Sequence, residues 1–270
     1  MKYALINSNK AEAVKGAIGY CPICSSKLIA KCGDVKVNHW AHKGNRNCDP
    51  WWENETDWHR SWKNNFPNNW QEIVHLAENG EKHIADVKTD NDWVLEFQHS
   101  YLKPDERRSR NAFYTKLVWI VDGTRRQTDK IQFDKTIKES TSIINKPLIL
   151  RVHFPEECRL LREWRDSKAL VFYDFQKTKE ANQLPLWFLF PMITTTESYI
   201  TPFSKQIFIA MHQENKFDEV VRNTILPIQK ELANGFHNKR KIIADGPPSR
   251  VYNFKKDLAI MRMKQRRFRF

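Results

Sequence analysis

The chain has 270 residues, 40% of them hydrophobic, and its 45 Lys and Arg outweigh 32 Asp and Glu for a net charge of +13. That apolar share can bury a core in one large domain or two modest ones, while no run approaches the ~18 consecutive apolar residues of a membrane helix and MKYALINSNKAEAV lacks the layout of a secretory signal. The expectation is a cytoplasmic protein with a polyanionic partner, since clustered Lys and Arg gain affinity by releasing counterions from phosphates; the rival, an anionic membrane surface, finds no basic helix with a clean apolar face.

Taken in chain order, the cysteines come first. Cys21, Cys24, Cys32, Cys48 and Cys158 make an odd set of five, which argues against structural disulfides in a chain without an export signal. Cys21-Pro-Ile-Cys24 lets two thiolates reach one ion from a single tight turn, and His39-Trp-Ala-His42 with Cys48 supplies a second pair. The expected ligands of a structural Zn²⁺ are Cys21, Cys24, His42 and Cys48. Residues 39 and 42 point to different sides of an extended segment, which makes His39 the alternate ligand or a partner behind it. Residues 1–50 then form a zinc-finger-like module too small to fold on an apolar core alone. Cys32, in an apparent hairpin at 28–37, and Cys158 read as packing residues; a redox role is the competing reading of the CxxC.

The segment from Pro50 to Pro67 reads as a helix, with Glu55, His59 and Lys63 at i, i+4 and i+8 on one face. Strands are expected at 71–77, 82–88 and 93–99, and Thr89-Asp90-Asn91-Asp92 is turn chemistry that pairs the last two antiparallel. Alternation sends Trp93, Leu95 and Phe97 to an apolar face and Val94, Glu96 and Gln98 to the other. Asp86 and Glu96 are thereby placed to share one divalent cation. Pro104 opens a second helix to residue 114, and LVWIVD (117–122) reads as a buried strand ending at Gly123. Arg107, Arg108 and Arg110 on that helix, with Arg125 and Arg126 after the strand, are candidate phosphate contacts. Trp51, Trp52, Trp58 and Trp62 crowd the entrance, where bases can stack.

This helix, strand, strand, strand, helix, strand order resembles the αβββαβ core of the PD-(D/E)xK nucleases, with Asp86 and Glu96-x-Gln98 at its two signature positions. CPIC (21–24), HWAH (39–42), ENETDWHRSWK (53–63), HIADV (83–87) and EFQHS (96–100) together resemble the competence protein CoiA-like nuclease family, from about residue 20 to about residue 135. The resemblance implies a Mg²⁺- or Mn²⁺-dependent nuclease acting on DNA, in DNA uptake and recombination or in defence against foreign DNA, with 51–135 as its catalytic core. It implies that Asp86, Glu96 and the main-chain carbonyl of Phe97 hold the metal and that Glu55 is a further direct or water-mediated ligand. His59 would orient a phosphate or a carboxylate, and Lys63 would supply the cation missing at Gln98. Gln98 is the departure, because many members of the superfamily carry Lys there; a neutral amide positions water but cannot act as a general base.

Residues 136–246 read as a mixed α/β region that completes the nuclease sheet, dimerises or recognises substrate. Apolar runs at 169–175, 184–191 and 205–212 read as strands, the last also as a helix start. Residues 217–236 have helical spacing, interrupted at Pro227 and closed by Asn234-Gly235. Within the tail, 247–270, residues 255–270 hold seven Lys and Arg against one Asp; Lys264, Arg266 and Arg267 are candidate phosphate contacts, with a merely solvated tail as the competing reading. The expected fold class is α/β (α+β): an αβββαβ core with a small N-terminal zinc module and a mixed C-terminal region. The alternative function is a non-catalytic DNA-binding recombination accessory, or an adaptor that binds a protein partner or a second copy through a degenerate nuclease fold.

Overall fold

The computed structural model describes residues 1–34, 36–44, 48–49, 51, 55–77, 80–175 and 186–245, with side chains as far as 235. Strands β1 (Tyr3–Ile6), β2 (Asn9–Glu12), β3 (Ile18–Tyr20), β4 (Lys27–Lys31) and β5 (His39–His42) form an antiparallel five-stranded sheet in the order β2-β1-β3-β4-β5. Asn7 and Ser8, both at positive φ (50° and 65°), make the two-residue turn between β1 and β2, the geometry that matches a hairpin's right-handed twist. This sheet's core is small: Met1, Ala4, Ala13, Cys21, Leu28 and the buried indole of Trp40. Gly19 is required there, since a Cβ would stand 2.6 Å from that of Ala4 and against the Trp40 ring.

The expected element order is realised in α1 (Asp57–Lys63), β6 (Gln71–Leu76), β7 (Lys82–Lys88), β8 (Val94–Gln98), α2 (Pro104–Phe113) and β9 (Leu117–Asp122). Helix α1 is shorter than the span from Pro50 to Pro67 suggests. Thr56 caps it by accepting the His59 N–H at 3.3 Å, so Glu55 lies ahead of the helix. Strand β7 runs antiparallel to both β6 and β8, and β8 is parallel to β9 across the α2 connection.

The chain continues with α3 (Gln127–Glu139), β10 (Thr141–Asn145), β11 (Leu148–Val152), α4 (Arg159–Trp164), β12 (Leu170–Asp174), β13 (Leu186–Leu189), β14 (Ser198–Phe203), α5 (Lys205–Gln213), α6 (Phe217–Val220) and α7 (Leu226–Asp245). Strand β12 pairs parallel to β9, producing one nine-stranded sheet in the order β10-β11-β14-β13-β12-β9-β8-β7-β6. Of the roles open to the second half, completing the sheet is the one the fold displays. A boundary at 135 would cut α3. Residues 205–212 are helical, and the closure expected at Asn234-Gly235 does not occur, because α7 runs through both. Pro227 is tolerated in the first turn of α7, where its missing N–H costs least, with a π-helical turn, Val221–Ile225, just before it.

Alternating residues of β9 feed two apolar clusters, one on each face: Leu117, Trp119 and Val121 with α2, α3 and α4, and Val118 and Ile120 with α1, α5 and α6. Strand β7 breaks this rule. Ala85 and Val87 share a parity yet belong to opposite clusters, so the strand turns over at Asp86. The pairing ladders lapse at the same row. Register runs Gln71↔Val87 and Ile73↔Ala85 on one side of β7 and Lys88↔Val94 and Val87↔Leu95 on the other, which sets Glu72, Asp86 and Glu96 abreast on three adjacent strands.

Candidate functional site

Two constellations of chemically active side chains stand out among the described residues. In the first, Cys21 and Cys24 sit in a tight turn after β3, closed by Ser25 N–H donating to Cys21 O at 3.0 Å, with Ser25 at φ 57°. His42 ends β5, and Cys48 follows. Their ligand atoms all lie within 4.8 Å of one another, with Cys21 Sγ 3.8 Å from Cys48 Sγ and His42 Nε2 3.3 and 3.4 Å from Cys24 and Cys48 Sγ. All five cysteines are free thiols. Against burial, which raises it, hydrogen bonds from Ser26 and His42 bring the Cys24 thiol down to about 6. Burial and the neighbouring Cys21 thiolate push Cys48 up to about 12. A cation at the centre would relieve that repulsion, and three sulfurs with one imidazole nitrogen are a fitting donor set for tetrahedral Zn²⁺. His39 is not in the cluster; its Nδ1 lies 2.9 Å from Val37 O.

The second constellation is a pocket lined by Glu55, His59, Lys63, Asp86, Glu96 and Gln98, together with Met1, Asp49, Trp51, Glu72, Ile84, Phe97 and Arg110. All six side chains expected to do chemistry therefore share one cavity, although they come from a loop, a helix and two strands. Lys63 is its hub, with Nζ 2.9 Å from Glu72, 3.2 Å from Glu55 and 3.3 Å from Asp86. Burial acts to neutralise this ammonium, but Glu72, Asp86 and Glu55 outweigh it and hold Lys63 well above the usual lysine range. Against its own burial, Glu72 is held down to about 2 by Lys63. Glu55 is also neutralised by Arg60, at 2.9 and 2.8 Å.

Glu96 behaves in the opposite way. Burial, then the Asp86 carboxylate, push it up to about 8. Its Oε2 accepts from Arg110 at 3.1 Å, while Oε1 is buried with no hydrogen-bond partner. Asp86 Oδ2 accepts the Phe97 N–H at 3.0 Å and lies 3.8 Å from His59 Nε2. Gln98 is buried and donates to Ser100 O at 3.2 Å.

Several expected nucleic-acid contacts are spent internally. Arg107 is buried, paired with Asp166 at 2.6 Å and lying over the Trp164 ring. Arg110 reaches Glu96, Glu106 and Trp51 O. Arg125 is held by Glu163, by Asp129 and by Ser100 O at 2.8 Å. A guanidinium buried against a carboxylate in this way is not offered to an outside phosphate; Arg108, paired with Asp105, and Arg126 are exposed. Trp58 and Trp62 are core residues whose indole N–H groups donate to Asp174 Oδ2 at 3.1 and 2.8 Å, and Trp51 stacks on His83. Trp52, Lys264, Arg266 and Arg267 lie outside the described residues.

Sequence reasoning missed Glu72 and Asp49. Asp49 accepts the Ile84 N–H at 3.1 Å and pairs with His83 at 3.0 Å. Neither stood out locally, because a single Glu in QEIVHL or an Asp before Pro carries no periodic signal; only the row across three strands gives Glu72 away.

Fold and centres define the class: a mixed α/β protein with a Cys₃His centre capable of holding a metal ion and a separate carboxylate-lined pocket. Residues 6–50 match the family described as competence protein CoiA, N-terminal domain, a segment spanning most of the first sheet and all four residues of the cluster. No curated protein and no solved structure matches the chain. Among the described residues, no helix is long and apolar enough to cross a membrane.

Proposed function

We propose that the chain is a divalent-cation-dependent DNA nuclease of the PD-(D/E)xK type, serving DNA uptake and recombination or defence. The observation that carries this reading is Glu96: a buried carboxylate with one unpartnered oxygen, abreast of Asp86 and in one pocket with Lys63. A buried carboxylate oxygen left unpaired is costly, and a cation is a partner that would satisfy it. The αβββαβ order, the match of the first sheet to a competence-protein domain and the net charge of +13 support the same reading.

Mg²⁺ or Mn²⁺ would be held by Asp86, Glu96 and the Phe97 carbonyl, where it would polarise a phosphoryl oxygen and acidify water. Arg110 steadies the ionised form of Glu96. Lys63 holds Asp86 in place and supplies positive charge beside the scissile phosphate, and Gln98 orients water through its amide. Glu96 must release its proton before it can ligate, so cation affinity rises with pH toward about 8. His59, beside Asp86, orients that carboxylate.

The test is incubation with single- and double-stranded DNA, linear and circular, in Mg²⁺, Mn²⁺ or EDTA. Cleavage should require the cation, and Asp86→Ala and Glu96→Ala should abolish it with DNA binding retained. Wild-type protein that never cuts, or Glu96→Ala cutting at the wild-type rate, overturns the assignment. A second reading, the non-catalytic DNA-binding accessory, draws on Asp86, whose oxygens are already engaged by Lys63 and the Phe97 N–H; binding without cleavage in every metal would favour it.

A further inference from the structure

We propose that Glu72 is a positioning residue that joins the N-terminal sheet to Lys63 and, through Lys63, fixes the carboxylate of Asp86. The proposal rests on the nuclease reading only in what it says of catalysis; the joint itself is geometric. Glu72 Oε1 accepts the Lys2 N–H at 2.6 Å and Lys63 Nζ at 2.9 Å, and Oε2 accepts the Tyr3 N–H at 2.9 Å. Lys63 Nζ then reaches Asp86 Oδ1 at 3.3 Å. The main chain of the first sheet is thus linked to the middle of the pocket through two side chains, both buried.

The backbone argues for the same role. Glu72 stands at φ +47°, in the left-handed region, inside a strand. A non-glycine residue keeps that conformation only where its surroundings over-determine it, and relaxing to the extended form would swing the carboxylate away from the β1 amides. A second tie starts from the Cys/His cluster. Asp49 follows Cys48 directly and accepts the Ile84 N–H at 3.1 Å, gripping β7 two residues before Asp86. The first sheet therefore holds both the strand that carries Asp86 and the lysine that faces it. Gln71, next to Glu72, also joins the two sheets by accepting from Lys2 Nζ at 2.9 Å, and it donates to Phe66 O at 2.7 Å; its side-chain hydrogen bonds among the described residues do not run to Lys63, so it separates docking from positioning.

Three measurements on the full chain decide the proposal. In Glu72→Gln, kcat for Mg²⁺-dependent cleavage should fall on the order of 10²-fold with KM for DNA nearly unchanged, the signature of a misplaced catalytic group. Lys63, shielded in the wild type, should become reactive toward an amine-labelling reagent, read by mass spectrometry of its peptide. Gln71→Ala should lower the melting temperature yet keep kcat and leave Lys63 shielded. Should Glu72→Gln fail to fold, Glu72→Asp serves instead, because Asp tolerates the left-handed backbone but is a methylene too short to span both partners; it should show the same split. Unchanged kcat and unchanged labelling in the Glu72 variant overturn the proposal, as does Gln71→Ala matching it in both readouts. If the wild type cuts no DNA, the nuclease reading falls, and Lys63 labelling alone still decides whether Glu72 positions it.

Discussion

The two sheets are held together by different means. The five-stranded sheet packs around Trp40 with only Met1, Ala4, Ala13, Cys21 and Leu28 buried beside it, and carries four Cys and His groups that could hold a metal ion. The nine-stranded sheet is covered on both faces by aromatic and aliphatic clusters, and β9 is buried along its whole length. A core as small as the first supplies little apolar stability of its own, so an ion held by Cys21, Cys24, His42 and Cys48 would add to it. The second has apolar clusters on both faces. A Cys/His cluster marks one sheet and apolar burial the other, and the pocket takes residues from both sides, Met1 and Asp49 with Glu72, Asp86 and Glu96.

The sharpest way to break this contrast is Cys21→Ser. Structural zinc in small modules carries roughly 10–16 kcal/mol of apparent folding free energy, so the variant should fall from about one bound zinc per chain to none by elemental analysis. Hydrogen exchange should show the first sheet opening while β8, β9 and β12 stay protected. Trp119→Ala attacks the other side: emptying a fully buried indole site should cost about 3–5 kcal/mol in denaturant unfolding, with zinc content intact.

A third experiment turns on pH. Because Glu96 is raised from 4.5 to about 8 in the folded protein, the native state holds a proton there that the unfolded chain has released. In the absence of divalent cation that contribution is complete below 4.5 and is lost as pH climbs to about 8, so the melting temperature should fall across this window. Glu96→Gln should flatten the slope, and a slope unchanged by the substitution would count against the burial argument. The smallest effect is expected from Cys32→Ala, since Cys32 is a half-buried residue at the margin of the small core, with a weak S–H donation to Ala13 O at 3.6 Å. Zinc stoichiometry should be untouched and stability should change by about 1 kcal/mol or less.

Much of this contrast was legible in the sequence. CPIC, HWAH and Cys48 named the four clustered groups, because ligand spacing is local, and the αβββαβ order followed from periodicity and turn residues between 57 and 122. What periodicity cannot give is who pairs with whom at long range. The insertion of β12 beside β9, which merges the two halves of the chain, is a contact across about fifty residues with no local mark. The same blindness misassigned Arg107, Arg110 and Arg125: from sequence a guanidinium looks solvated, and only tertiary structure shows Asp166, Glu96 and Glu163 waiting for them. Trp58 and Trp62 were misread for the same reason, their partner Asp174 lying more than a hundred residues away.

The pairing of β12 with β9 also bears on how the protein can be handled. A fragment ending after α3 would contain every element of the αβββαβ order and every residue lining the carboxylate pocket, and would look like a sensible minimal unit. Yet it would strip β9 of a neighbour and bare an unpaired hydrogen-bonding edge on Leu-Val-Trp-Ile-Val, an apolar, uncharged run of the kind that recruits strands from other copies. Such a fragment should precipitate, so the second half of the chain acts as a built-in guard against self-association.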